Sequence, residues 1–317
     1  MKRILIIALL LGVASGAPLS WTSATASPVQ FAGDPLELLP DGMGVAVINV
    51  KQIVASDVWA LVMGSSKATR FIQKAESDLN AIGLKVSDLN GVAVAIPTTP
   101  NQGGVAVVSG SFNPGDIIAR LKDNANVKVT SEKYKTIDVY RVVSASTNNH
   151  SDVSLAFYDG GTAVVGPAAG VRGAIDVHSG SAPSMAKNSA LDQVMAQNSS
   201  AAIRFAIAPP NGSLSSIRSD NLPLPDFSSV NLIFGTVALS SAVDINATLR
   251  SDTAEHAKAI ANQLTSLLSM AKGFLSSSNP KTAPIADALK TVTIDDNGGD
   301  VKISASLSKD VLNQLIH

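Results

Sequence analysis

Apolar positions recur along this chain in two rhythms, and their alternation lays out the elements. A Leu39-Pro40-Asp41-Gly42 turn leads into a short apolar run, Val45 to Val50, which predicts a strand. Ala68, Phe71, Ile72, Ala75, Leu79 and Ile82 then fall at spacings of three and four, with Gly83 where a helix C-cap glycine belongs. Strands follow at Val92 to Ile96 and Val105 to Phe112. Asn113-Pro114-Gly115-Asp116 supplies an N-cap, a first-turn proline and an acid three residues on, so a short helix starts there, with Ile117, Ile118 and Leu121 facing inward. Further strands are predicted near Val127 to Thr130, Ile137 to Val143 and Val153 to Tyr158. The last turns through Asp159-Gly160-Gly161 into Thr162 to Gly166.

The second half repeats the order. Ile203, Phe205 and Ile207 alternate with Arg204 and Ala206, and a loop leads to Val230 to Leu239. Val243, Ile245, Ala247 and Leu249 alternate with Asp244, Asn246 and Thr248, the pattern of a strand with one wet face. Asp252-Thr253-Ala254-Glu255 resembles a capping box and launches the longest helix, carried by Ala257, Ile260, Ala261, Leu264, Leu267, Leu268, Ala271 and Leu275. A hairpin, Val292 to Ile294 and Val301 to Leu307, turns at Asn297-Gly298 and ends in a short helix from Ser308. The fold class expected is α+β, a mainly antiparallel sheet covered by helices on one face. The recurrence fits an ancient duplication, and it fits equally well the common use of hairpin-plus-helix units to cover a sheet.

The N-terminus follows another logic. Met1-Lys2-Arg3 precedes an apolar run from Ile4 to Ala14, the order of a secretory signal. A membrane-spanning helix needs about 20 apolar residues, and this run breaks at Ser15-Gly16. Cleavage is expected after Ala26, in Ala24-Thr25-Ala26, with Ala17 as the alternative site; an uncut signal would act as an anchor. The organisation expected is a signal at 1–26, a linker at 27–42, an N-terminal half at 43–198 and a C-terminal half at 199–317.

Composition narrows the classes. The chain has no cysteine, which excludes disulfides, thiolate metal sites and N-terminal lipidation through cysteine. Aromatic residues make up 4% and charged residues 15%, so the core must come from Val, Ile, Leu and Ala. Removing Lys2 and Arg3 with the signal leaves 22 basic against 25 acidic residues, a balance that disfavours nucleic acid as a partner.

Four strings carry a family resemblance: Leu39-Pro40-Asp41-Gly42, Lys133-Tyr134-Lys135-Thr136-Ile137-Asp138-Val139-Tyr140, Phe157-Tyr158-Asp159-Gly160 and Leu249-Arg250-Ser251-Asp252-Thr253-Ala254-Glu255. With them nearly the whole mature chain resembles a family of exported bacterial proteins of unknown function. The resemblance implies an envelope or secreted location and no activity.

Chemistry is sparse. Ser184-Met185-Ala186-Lys187, Ser219-Asp220-Asn221 and Lys281-Thr282-Ala283 follow the order of the serine β-lactamase motifs, in which the first serine is the nucleophile. Ser269, Ser278 and Ser306 also precede a lysine by three, the third motif lacks its glycine, and the stretch between the first two is too short for a helical subdomain. Asp295-Asp296-Asn297-Gly298-Gly299-Asp300 gathers oxygen ligands but lacks the closing acid of a calcium loop, and a hairpin turn explains it. Gly166 to Gly173 matches no phosphate-binding pattern and reads as a tight strand-to-helix turn. His150, His178 and His256 stand apart in sequence, and His317 is the last residue.

No catalytic, cofactor-binding or metal residues are therefore expected. The function expected is a non-enzymatic binding or scaffolding role in the cell envelope, with an envelope protein or an apolar small molecule as partner and no transmembrane segment after cleavage. The alternative is a carrier holding a lipid-like ligand between sheet and helices, and a serine hydrolase stands a distant third.

Overall fold

The computed structural model describes residues 31, 33–99, 103–144, 152–197, 199–216, 224–275 and 282–316. The expected signal, 1–26, lies outside them, as do Ser219 to Asn221, Lys281, His150 and His317. Among the described residues, no helix is long and apolar enough to cross a membrane.

The fold is α+β, built on one 12-stranded antiparallel sheet. In chain order the strands are β1 (Gly44–Asn49), β2 (Leu89–Ile96), β3 (Val105–Gly110), β4 (Val127–Tyr134), β5 (Ile137–Ser144), β6 (Asp152–Phe157), β7 (Thr162–Gly166), β8 (Ile203–Ile207), β9 (Val230–Leu239), β10 (Ala242–Ser251), β11 (Thr293–Asn297) and β12 (Asp300–Ser308). Across the sheet they run β11-β12-β10-β9-β8-β1-β2-β3-β7-β6-β5-β4. The stretches 43–198 and 199–317 thus share one hydrogen-bonded sheet and meet at the β1–β8 pair. In each stretch the third strand pairs with the last one, β3 with β7 and β10 with β12.

The described helices are α1 (Val50–Val54), α2 (Asp57–Met63), α3 (Ser66–Ala81), α4 (Pro114–Asp123), α5 (Ala168–His178), α6 (Ser189–Met195), α7 (Ala254–Phe274), α8 (Ala283–Lys290) and α9 (Lys309–Ile316). At the head of α4 the start signal works as the sequence predicts, Asn113 accepting a hydrogen bond from the Asp116 amide. At the head of α7 the cap falls one residue later than the expected Asp252–Glu255 box: Thr253 accepts from the His256 amide. Gly83 ends α3 at φ +79°, in the left-handed region, and a β-carbon there would lie 2.7 Å from Arg120 Nε.

Register shows which residues share a face. Val139, Ala156, Val164, Val107, Ala93 and Val47 stand side by side across β5, β6, β7, β3, β2 and β1, and all are buried. The same row continues as Arg204, Thr236, Asn246, Ser304 and Thr293. Along this row the first face is apolar on the N-terminal side and polar from β8 on, although Leu232 and Phe234 of β9 still join its core. On the opposite face the neighbouring row is Leu155, Val165, Ala106, Val94, Ala46, Phe205, Gly235, Ala247, Ile303 and Ile294, without a polar side chain from β6 to β11; it turns polar at Tyr140 and Ser131 on β5 and β4.

Helices follow the apolar surface, so they cover both faces rather than the single face expected from the sequence. Val171, Ala174 and Ile175 of α5 and Leu191, Val194 and Met195 of α6 pack on the first face with Val47, Val107 and Val164. Val50 of α1, Leu79 of α3 and Ile117 of α4 join Val92 and Val108 on the second. Ala257, Ile260 and Ala261 of α7 close over Val301 on that same second face. Burial on both sides leaves β3 with no exposed position, the reason its sequence is continuously apolar.

The expected linker, 27–42, is part of the domain where it is described. Phe31, Leu36 and Leu39 are buried in the core of the first face, and Leu39 is fully inaccessible. Prolines and glycine give that segment the look of a linker, whereas Pro35 opens a 3₁₀ turn capped by Asp34. Helix α8 likewise has no counterpart among the elements that the pattern predicts; Pro284 stands in its first turn.

Candidate functional site

Two spaces meet at the end of the sheet formed by β5, β6 and β7. The first is a cavity of about 250 Å³ on the second face, under α3 and α4. Leu79 and Ile82 with Leu84 close it on one side, Ile117 and Leu121 of α4 roof it, and Val92, Val108, Val142, Val153, Leu155, Phe157 and Val165 form its floor. Every lining side chain is apolar. The inner residues Leu79, Val92 and Ile117 are buried, while Leu121, Val142 and Val153 are half-buried, which puts the open end over β5 and β6.

The second space is a polar cleft of about 760 Å³ lined by Lys135, Thr136, Asp138, Tyr140, Asp159, His178 and Ser179, with Ile137, Ile175, Phe157 and Tyr158 beneath. It lies where the β4–β5 turn, the β6–β7 turn and the end of α5 converge. Two of the four strings that carry the family resemblance, Lys133 to Tyr140 and Phe157 to Gly160, therefore build one place in the fold. Phe157 lines both spaces. Its ring meets Phe112 edge-on, centroids 6.2 Å apart at 60°, and the Phe112 amide donates to the Gly160 carbonyl at 2.7 Å.

A clamp on α5 shapes this cleft. The Tyr134 hydroxyl donates to Asp176 at 3.0 Å, and the Lys135 ammonium lies 2.6 Å from the same carboxylate. Lys135 also donates to Ser179 at 2.7 Å and to Ser181. Among the described residues it is the one non-glycine at positive φ, +54°, a conformation uncommon for a side chain of this kind. Its ammonium contacts hold the turn in place. Lys135 and Tyr134 keep the Asp176 carboxyl below the usual carboxylate range, Lys135 having the larger effect.

The Tyr158 ring stacks on His178, centroids 3.9 Å apart and nearly parallel at 8°. Its hydroxyl is buried with no hydrogen-bond partner among the described groups, and burial raises its pKa. His178, isolated in the sequence, is thus exposed but engaged. A third, open groove of about 550 Å³ holds Glu132, Arg141, Asp152 and Arg172, whose charges cancel pairwise: Arg172 to Glu132 at 2.6 Å, and Arg141 to Asp152.

The remaining motifs of the sequence lie away from these spaces. Ser184 precedes a 3₁₀ turn, Met185–Lys187, in which Met185 is fully buried and its amide bonds the Leu39 carbonyl at 2.9 Å. The serine-lysine spacing therefore sits on a turn that anchors the N-terminal segment. Asp295 to Asp300 forms the β11–β12 hairpin with Gly298 at φ +62°, and Asp300 holds Arg250 through both oxygens at 2.7 and 2.9 Å. Gly166 to Gly173 is a strand-to-helix turn that brings α5 close to the sheet; a β-carbon at Gly170 would lie 3.1 Å from Val105. His256 does have an acid beside it, Asp252 at 2.7 Å, one turn back at the head of α7. Among the described residues no group of three or more His, Asp or Glu could hold a metal ion.

No family model and no curated protein matches the chain. Solved structures of the protein TP0453 are similar to it. Crystal form III aligns with 90% of this chain and 98% of that one, at 11% identity and a TM-score of 0.52. Forms IV and I align with TM-scores of 0.49 and 0.48. At 11% identity the likeness to form III is one of fold alone.

Proposed function

We propose that this is an exported, non-enzymatic binding protein whose ligand is apolar and chain-like, held between the sheet and α3–α4. The observation that carries this reading is the 250 Å³ cavity with a wholly apolar lining. Its walls offer water no hydrogen-bond partner. An alkyl chain that lies in it takes apolar surface out of water at about 25 cal/mol per Å², which is the driving force for binding.

Export rests on the n-region and h-region order of residues 1–14. The non-enzymatic reading rests on the cleft's charged groups: Lys135 is engaged by Asp176, and Ser184 stands at a structural turn. Native mass spectrometry of protein purified from its own envelope fraction should show a co-purifying apolar adduct and a mature chain starting at Ser27. A chain without adduct that also ignores added decanol would sink the binding reading. An acylating probe that labels Ser184 would sink the non-enzymatic one.

A second reading, docking to an envelope protein, draws on the exposed aliphatic and aromatic side chains of α7 and α8. Phe274 is 83% exposed, with Met270 and Ile285 near half. Crosslinking from Phe274 in intact cells tests it, and the absence of any crosslinked protein counts against it.

A further inference from the structure

The wall shared by the two spaces narrows the ligand further, provided that an apolar chain occupies the cavity as proposed above. From it we infer that the ligand is a single-chain amphiphile with an uncharged, hydroxyl-bearing head, its chain in the apolar cavity and its head in the adjoining cleft. Phe157 lines both spaces, so a molecule that passes its ring places one end in each. One end is wholly apolar and the other carries Asp138, Tyr140, Asp159 and His178.

The charges of the cleft choose the head. Of its charged lining residues, Asp138 and Asp159 are carboxylates and Lys135 is the one ammonium, already 2.6 Å from Asp176. A phosphate or carboxylate head would meet two carboxylates and a cation already neutralised, and like charges repel. Hydroxyls fit better, since they donate to Asp138 and Asp159 and accept from the Tyr140 phenol. Both carboxylates are exposed and therefore accessible to such a head, although one Asp159 oxygen also accepts from the Gly161 amide at 2.6 Å.

The Phe112–Phe157 pair is the partition. The Phe112 amide is tied to Gly160, which lines the cleft, so the aromatic wall and the polar turn form one piece. The chain lies along β6 from the Phe157 wall toward Val153, where α4 leaves Leu121, Val142 and Val153 half-buried.

Calorimetry on the full mature chain, below the aggregation concentration of each probe, tests this with monodecanoylglycerol and decanoate, which share a chain and differ in head. The glycerol ester should bind about tenfold tighter, the value of one or two added hydrogen bonds. Asp138→Lys should narrow or reverse the difference by favouring decanoate. Tyr140→Ala should weaken the glycerol ester alone, and Val142→Trp, at the open end of the cavity, should abolish binding of both. Circular dichroism confirms that each variant is folded. Decanoate binding as tightly as the ester, unchanged by Asp138→Lys, overturns the head assignment and leaves the cavity reading standing. If neither probe binds the wild-type chain, the cavity reading itself fails.

Discussion

The two ends of this sheet are wound alike and covered differently. In both, the third strand pairs with the last and a helix crosses the second face between them, α4 after β3 and α7 after β10. On the N-terminal side the first face presents Val107, Val164, Ala156 and Val139, and α5 folds back over it. On the C-terminal side the same row presents Asn246, Ser304 and Thr293. There Asn246 and Thr293 remain exposed, and a hydroxyl pair, Thr293 with Ser304 at 2.7 Å, takes the place of packing. After β12 the chain instead runs into α9, which docks beside α2 through Lys309 to Asp57 and the Ser65 hydroxyl to the Ile316 carbonyl. Side-chain polarity along one register row thus decides where the next helix goes, while strand order stays the same.

Arg204 marks the change. It sits on the joint strand β8 in the apolar row, and its guanidinium donates to the Met195 carbonyl at the end of α6. Burial lowers its pKa from the ordinary arginine value. Beyond it the row is polar.

The largest test of this contrast is a pair of truncations. Ile175→Ala, at a fully buried site in α5, should cost about 3 kcal/mol in urea unfolding. Asn246→Ala on the exposed stretch of the same face should change stability by less than about 0.5 kcal/mol. Similar costs would mean that the two ends are covered alike.

The clamp on α5 gives a smaller effect. Tyr134→Phe should cost about 1 kcal/mol by removing the bond to Asp176. Tyr158→Phe removes a buried hydroxyl that has no hydrogen-bond partner among the described groups and should be neutral or stabilising by up to about 1 kcal/mol. Because the folded Asp176 pKa is depressed, the clamp's contribution is full above the ordinary carboxylate range and is lost as pH falls through the folded value. The Tyr134→Phe penalty should shrink with it in acid unfolding.

Filling the cavity should separate stability from binding. Val142→Ile with Val153→Ile adds two methyl groups at its half-buried end and should raise unfolding free energy by about 1 kcal/mol while weakening decanol binding. A fall in stability would show that the space is already filled.

The smallest effect lies at the head of α7. Hydrogen bonding between them raises the His256 pKa and lowers that of Asp252. Their mutual stabilisation spans the pH range between the two folded values, fading as His256 deprotonates on the alkaline side and as Asp252 protonates on the acid side. An NMR titration of His256 should move toward the ordinary histidine value in Asp252→Asn, and no movement would break the pair.

Much of the fold is legible in the sequence, for local reasons. The Asn113 cap, the Asn297-Gly298 turn and the alternation of faces along β10 depend on neighbours in sequence, and each stands where the pattern predicts it, while the α7 cap falls one residue late, on Thr253. Helix α8 and the buried Leu39 escape such a reading because proline and glycine look alike in a loop, a helix start and a capped turn.

The candidate site is less legible. Its strings are visible as turns, but residues 134–140, 157–160 and 175–179 become one cleft only when β5 pairs with β6 and α5 folds across the strand ends. The stacking of Tyr158 on His178 and the sharing of Phe157 between two spaces depend on that docking, which has no local sequence signal. By itself the sequence determined the α+β elements, their caps and the alternation of faces, because dihedral preference and period act over a few residues. Only the tertiary structure decided that helices cover both faces and that an apolar cavity opens beside a polar cleft. Those outcomes depend on long-range register and on how well distant side chains fill the space between sheet and helix.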